Sequence, residues 1–156
     1  MSKLIASILL FFSSLFPGPK VAISSQEFTN GGAIPLRFTC NGDNINPPLI
    51  FDRVPGDAKS LVLIVEDDKA FTHWSVFNID PTITNIEEGK IPEALEGTND
   101  FGELKYMGPC STEKHKYYFK VYALDTLLSL DEGAKKSEIE TAMQKHIIAK
   151  GELYGL

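Results

Sequence analysis

The nine residues from Lys116 to Leu124 constrain the fold more than any other stretch of the chain. Tyr117, Phe119, Val121 and Ala123 alternate strictly with Lys116, Tyr118, Lys120 and Tyr122. A period of two puts one set on each face of an extended strand, and aromatic or β-branched residues favour that conformation. One face must then be buried, so a second layer has to cover it. Leu61 to Glu66 reads Leu-Val-Leu-Ile-Val-Glu and is apolar nearly throughout, as expected of a central strand covered on both faces. Trp74 to Ile79 is a shorter strand stopped by Asp80-Pro81. Ile34 to Thr39 is another, following the Gly31-Gly32 turn.

Between these segments the chain is rich in Gly, Pro, Asn and Asp, notably at 40–48 and 87–109. The second stretch is long for a connection in a compact domain, and such loops often carry function. A helix is expected near the C-terminus. Ser137 and Glu140 have capping-box spacing, Ile139, Met143 and Ile147 form a stripe, and Gly151 follows the last turn. The fold class expected is mainly β: a Greek-key β-sandwich of two antiparallel sheets with a few peripheral helices, including a C-terminal one.

At 156 residues the chain has the length of one ordinary domain. Residues 1–18 differ from the rest. Lys3 precedes a stretch from Leu4 to Phe16 that is apolar apart from three serines, and Pro17-Gly18-Pro19 follows. This reads as a signal peptide or apolar leader, too short to span a bilayer stably as a helix. A buried first element of the domain is the alternative. Residues 19–156 form the expected domain, and the expected location is periplasmic or secreted, with the cytoplasm as the alternative. The net charge of −6 and the lack of any Lys/Arg run beyond two residues argue against nucleic acid as a partner. The only cysteines are Cys40 and Cys110. In an oxidising compartment they can pair, closing a loop of about 70 residues that contributes a few kcal/mol. Two buried free thiols are the alternative reading.

The residues that could carry chemistry gather at strand ends. Asp67 closes the apolar strand, and His73 opens the next one six residues later. If the two strands are antiparallel neighbours, both residues lie at one end of the sheet. A carboxylate beside an imidazole favours the cationic ring, and a cationic ring favours an anionic ligand. His115 opens the alternating strand with the inward parity of Tyr117. Gly108-Pro109-Cys110 lies just before it, where a glycine turn can offer backbone N–H groups as an anion nest. Taken singly, each of these has a plain structural reading as a turn, a solvated strand end or a hydrogen-bonded histidine. Cys110, His115 and Asp67 could also stand as nucleophile, base and orienter. A Cys40–Cys110 disulfide would remove that option. No His-x-x-x-His or Cys-x-x-Cys spacing suggests a metal.

The same residues carry a family resemblance. Ile34-Pro35-Leu36-Arg37-Phe38-Thr39-Cys40-Asn41-Gly42, Asn46-Pro47-Pro48-Leu49, Glu66-Asp67-Asp68 with Phe71-Thr72-His73-Trp74, and Asn99-Asp100-Phe101-Gly102 occur in order. Tyr106, Gly108-Pro109-Cys110, His115-Lys116-Tyr117 and Tyr122-Ala123-Leu124-Asp125 follow them. From about Ser24 onward this pattern resembles the phosphatidylethanolamine-binding protein family, in particular its bacterial Raf-kinase-inhibitor-like branch. The resemblance implies a β-sandwich with a small cavity at one end for phosphate, a phospholipid head group or a small carboxylate. By position it implies Asp67, His73, Gly108, Pro109, His115 and Tyr117 as ligand-binding residues, with Trp74, Tyr106 and Cys110 on the rim. It implies no metal, no cofactor and no catalytic residue. A protein partner, as a regulator of a kinase or serine protease through the same pocket, is the alternative function. The chain departs from the family at Asp67-Asp68-Lys69-Ala70, which lacks the usual prolines and is shorter, and at Ser111-Thr112, where prolines are usual.

Overall fold

A computed structural model describes residues 18–156; the leader reading otherwise lies outside the described residues. The chain runs β1 (Ala22–Ser24), a 3-10 turn (Leu36–Phe38), β2 (Leu49–Asp52), β3 (Ser60–Asp67) and β4 (Thr72–Ile79). Then follow β5 (Asn85–Ile86), β6 (Leu95–Glu96), β7 (Tyr117–Leu124), α1 (Lys136–Met143) and β8 (Ile147–Gly155). Two antiparallel sheets form, β1-β2-β5 and β6-β4-β3-β7-β8.

The apolar run becomes the middle strand of the larger sheet because it can bury both faces. Leu61, Leu63 and Val65 join Phe119, Val121, Trp74, Phe51 and Leu49 in the core between the sheets. Val62 and Ile64 point the other way, into a second core with Phe77, Leu124, Ile139 and Met143. The helix α1 therefore covers the face of the sheet that the smaller sheet leaves bare. Among the described residues no helix is long and apolar enough to cross a membrane.

Two segments differ from the sequence expectation. Residues 34–39 are not a strand. Pro35 starts a 3-10 turn in which Phe38 N–H donates to the Pro35 carbonyl (3.0 Å) and Thr39 N–H to the Leu36 carbonyl (3.0 Å). The turn buries Phe38 alone and leaves Leu36 in solvent. The helix is shorter than expected and its cap lies two residues earlier. Ser137 lies inside it, with its carbonyl accepting the Thr141 hydroxyl, and the capping carboxylate is Glu138, which accepts Lys135 N–H (3.2 Å). After Met143 the chain changes period. Ala149 and Leu153 are buried and Lys150 and Glu152 exposed, a strand pattern, and β8 pairs with the whole of β7. Ile147 continued the helical stripe in sequence but lies outside both cores, 38% exposed.

Gly151 is the reason this edge closes. A Cβ there would lie 1.9 Å from the Val21 carbonyl oxygen, because the chain entering β1 crosses directly over β8, with Val21 N–H on the Lys150 carbonyl (3.1 Å). Gly151→Ala is expected to cost about 3 kcal/mol by forcing the two segments apart, a fall in Tm of roughly 10 °C. Gly56→Ala, where a Cβ meets nothing within 4 Å, should leave the melt within about 0.5 kcal/mol. Thermal denaturation followed by circular dichroism measures both.

Candidate functional site

The antiparallel β3–β4 pair places Asp67 and His73 at the same end of the sheet, and β3–β7 pairing sets Asp67 opposite Tyr117. Val65 faces Trp74 and Glu66 faces Thr72, so His73 is an extra residue in β4, a bulge. The bulge turns His73 to the side that already carries Trp74. Its ring meets Tyr117 edge-on, centroids 5.3 Å apart, and His115 meets the same tyrosine at 6.3 Å. Tyr117 is thus the floor between two imidazoles. Phe71 and Phe101 complete the wall: they stack edge-on with each other (5.0 Å) and each with His73 (5.5 and 5.7 Å), and both remain partly exposed.

Each histidine has Nδ1 committed. His73 Nδ1 lies 2.7 Å from the Met107 carbonyl oxygen, which can only accept, so Nδ1 carries the proton and Nε2 is left for a ligand. His115 Nδ1 lies 2.9 Å from Asp68 Oδ1, and Asp68 Oδ2 accepts Lys116 N–H at 3.3 Å. Asp68 is the carboxylate that orients a histidine. Sequence reasoning gave that place to Asp67. Asp67 Oδ1 instead accepts Lys69 N–H and Phe71 N–H (2.9 Å each) and closes the turn between β3 and β4. It reaches His73 and Tyr117 only through its charge.

The expected cationic state of His73 is corrected in the same way. Burial pushes the ring below its ordinary value, and the opposing pull of the Met107 and Gly108 backbone and of Asp67 and Asp100 does not make this up. At neutral pH His73 is a neutral ring that presents Nε2 as an acceptor. Burial, then the Asp67 and Asp68 charges, hold the Tyr117 hydroxyl above its ordinary value, so it stays protonated. The hydrogen bond from His115, then that from Lys116 N–H, hold Asp68 below the ordinary carboxylate range.

The segment 106–110 is held by its neighbours instead of forming an open nest. Gly108 N–H donates to Asn44 Oδ1 (2.8 Å), and a Cβ on Gly108 would lie 2.1 Å from the Phe38 carbonyl oxygen. The glycine is required by this close approach, and its N–H is already used. Tyr106 donates its hydroxyl to the Phe38 carbonyl (2.7 Å), and Trp74 donates Nε1–H to Glu96 Oε2 (2.8 Å). Both aromatic residues are buried, and their rings meet at 5.8 Å. They form the wall behind the site and not its rim. Pro109 accepts Cys40 N–H at 3.1 Å, beside the Cys40–Cys110 disulfide. Pairing leaves no thiolate at Cys110 and therefore no nucleophile there. Among the described residues no three His, Cys, Asp or Glu side chains converge as a metal site.

Sequence reasoning weighed Asp68 against Asp67 for the key carboxylate and chose Asp67, and it missed Met107, Phe71, Phe101 and Asn44. Phe71 stands two residues before His73 in an aromatic-rich strand start, which was a usable signal. A backbone carbonyl such as that of Met107 has no sequence signature at all.

A two-sheet sandwich with paired imidazoles at one end defines a class, and comparison with known proteins names it. The family model described as phosphatidylethanolamine-binding protein matches residues 24–156. The chain belongs to that family. It is 45% identical over 145 residues to a UPF0098 protein of Methanothermobacter thermautotrophicus, covering 86% of this chain and 96% of that protein. It is 46% identical over 143 residues to a UPF0098 protein of Chlamydia trachomatis, covering 85% and 95%. The crystal structure of a phosphatidylethanolamine-binding protein homologue from Chlamydia trachomatis superposes with a TM-score of 0.83 at 44% identity, covering 88% of this chain and 96% of that one. Escherichia coli YbcL, described as a member of the mammalian family, superposes with a TM-score of 0.80 at 28% identity, covering 87% and 96%.

Two outcomes are expected. His73 binds its second proton less readily folded than unfolded, so the unfolded chain holds more protons below the ordinary histidine value of 6.5. Stability should therefore decline as pH falls from about 6.5, and His73→Gln should flatten that part of the profile in urea titrations. Cys40→Ser with Cys110→Ser opens a link between residues 70 apart and should cost about 4 kcal/mol, read as a lower urea midpoint.

Proposed function

We propose that this protein binds a small anion, a phosphoryl group or carboxylate such as a phospholipid head group, between His73 and His115. The observation that carries this reading is the pair of rings on Tyr117 whose Nδ1 atoms are both taken, by the Met107 carbonyl and by Asp68, so that Nε2 is what remains on each, with the exposed Glu113 carboxylate 3.9 Å from that of His115. A neutral His73 accepts a hydrogen bond, so the matching ligand carries a proton as well as charge. A monoprotonated phosphoryl group does both: its P–OH donates to His73 Nε2, and its other oxygens accept from His115 Nε2–H when that ring is protonated. The partly exposed Phe71 and Phe101 beside His73 suit a ligand with an apolar portion next to the anion. The same aromatic edge would serve the second reading, a protein regulator that takes a partner's acidic or phosphorylated side chain in this pocket. The disulfide supports an oxidising, extracytoplasmic location.

Phosphate and phosphoryl-ethanolamine titrated into 15N-labelled protein should shift the His73 and His115 ring signals. Charge-assisted hydrogen bonds contribute roughly 1.5–3 kcal/mol each, so His73→Ala and His115→Ala should each weaken binding about tenfold or more. Ring signals that stay still at saturating ligand would end the reading.

A further inference from the structure

The turn that carries Asp68 is short and strained. Asp67 N–H donates to the Phe71 carbonyl (3.0 Å) and Ala70 N–H to the Asp67 carbonyl (3.0 Å), which forces Ala70 to φ +63°. An alanine adopts this left-handed region at a cost of about 1–2 kcal/mol, so the turn stays in place only if its surroundings hold it. Most of the hydrogen bonds on its backbone are internal. Among the described residues one side chain from outside reaches the turn's main chain: Lys136, whose Nζ lies 2.7 Å from the Ala70 carbonyl oxygen.

Lys136 is the first residue of α1, on the face of the sheet opposite the sandwich core, and its side chain is only 18% exposed. Its ammonium also lies 2.6 Å from Glu66 Oε2, while Lys120 takes Glu66 Oε1 at 2.7 Å. Burial pushes the Glu66 carboxyl up, but the two lysines outweigh this and keep it ionised. The lysine is thus paired and aimed, with hydrogen bonds left over for Ala70. Two residues before Ala70, Asp68 fixes His115.

We propose that Lys136 is a positioning residue for the ligand site, holding the Ala70 carbonyl and so setting the turn from which Asp68 orients His115. This places a determinant of the site on the helix, on the face of the sheet opposite the sandwich core. The affinity part rests on the anion-binding reading above. The geometric part does not.

The test compares Lys136→Met, Lys136→Arg and Glu66→Gln with the parent protein by two readouts. The first is the 15N signature of the neutral His115 ring at alkaline pH. In the parent Asp68 holds the Nδ1–H tautomer, and Lys136→Met should shift the ring toward the Nε2–H tautomer that free imidazole side chains prefer. Lys136→Arg should restore the parent pattern. Glu66→Gln, which leaves the ammonium within reach of Ala70, should lower Tm while leaving the tautomer in place. The second readout is the Kd for inorganic phosphate, expected to weaken about five- to tenfold in Lys136→Met and to recover in Lys136→Arg. A purely structural lysine would lower Tm in Lys136→Met without moving the His115 tautomer, and that result overturns the proposal. If Lys136→Met does not fold, the same readouts on Lys136→Gln decide, since glutamine keeps a polar head but is one atom shorter. A parent protein that ignores phosphate removes the anion-binding reading alone, because the tautomer still reports on the clamp.

Discussion

The pairing of β3 with β7 is the interaction on which the remainder of the molecule depends. Eight consecutive residues of β3, from Ser60 to Asp67, face Leu124 to Tyr117 without a break in register. This ladder runs through the most deeply buried part of the protein, with Leu61, Leu63 and Val121 fully shielded. A slip of one residue would turn every apolar side chain of β7 out of the core, so burial itself locks the register. Because the ladder ends at Asp67 and Tyr117, it also fixes where the site lies. On the other side of β3 the pairing is deliberately imperfect. The bulge in β4 inserts His73 beside Trp74, and an unbroken ladder would have sent it to the helix side.

Around that frame the loop from 99 to 110 is held by polar groups that satisfy one another. Asn99 Oδ1 accepts Phe101 N–H and Glu103 N–H (2.9 Å each), Asn44 takes Gly108 N–H, Tyr106 takes the Phe38 carbonyl, and the disulfide joins 40 to 110. A loop this well tied loses little conformational freedom on meeting a ligand, which is a condition for a small ligand to be bound with few contacts. The neutral state of His73 belongs to the same economy. Its ring is enclosed by Phe71, Phe101 and Tyr117, and an enclosure of aromatic groups disfavours a charge more than two carboxylates at a distance favour it.

Much of this was readable in the chain. The alternation of Tyr117 to Ala123 and the apolar run of Leu61 to Val65 announced two buried strands, and the loops rich in Gly, Pro and Asn announced a β-sandwich. His73, His115 and Tyr117 were singled out and do meet. The failures share a cause: local pattern was trusted where tertiary contact decided. Ile147 fitted a helical stripe through Ile139 and Met143, but the edge of β7 offered residues 147–155 a full ladder of hydrogen bonds, and the chain took it. Ile34 to Thr39 looked extended, but Pro35 and the need to bury Phe38 alone made a 3-10 turn.

By itself, then, the sequence determined the two buried strands and the residue types at the end of the sheet, and offered two cysteines whose pairing it left open, because periodicity and composition are local properties of the chain. Only the tertiary structure decided that Asp68 and not Asp67 meets His115, that Gly108 is a packing contact, and that His73 is neutral. Those outcomes depend on which groups a fold brings within 3 Å and how much water it leaves around them, and neither quantity is written in the spacing of residues along the chain.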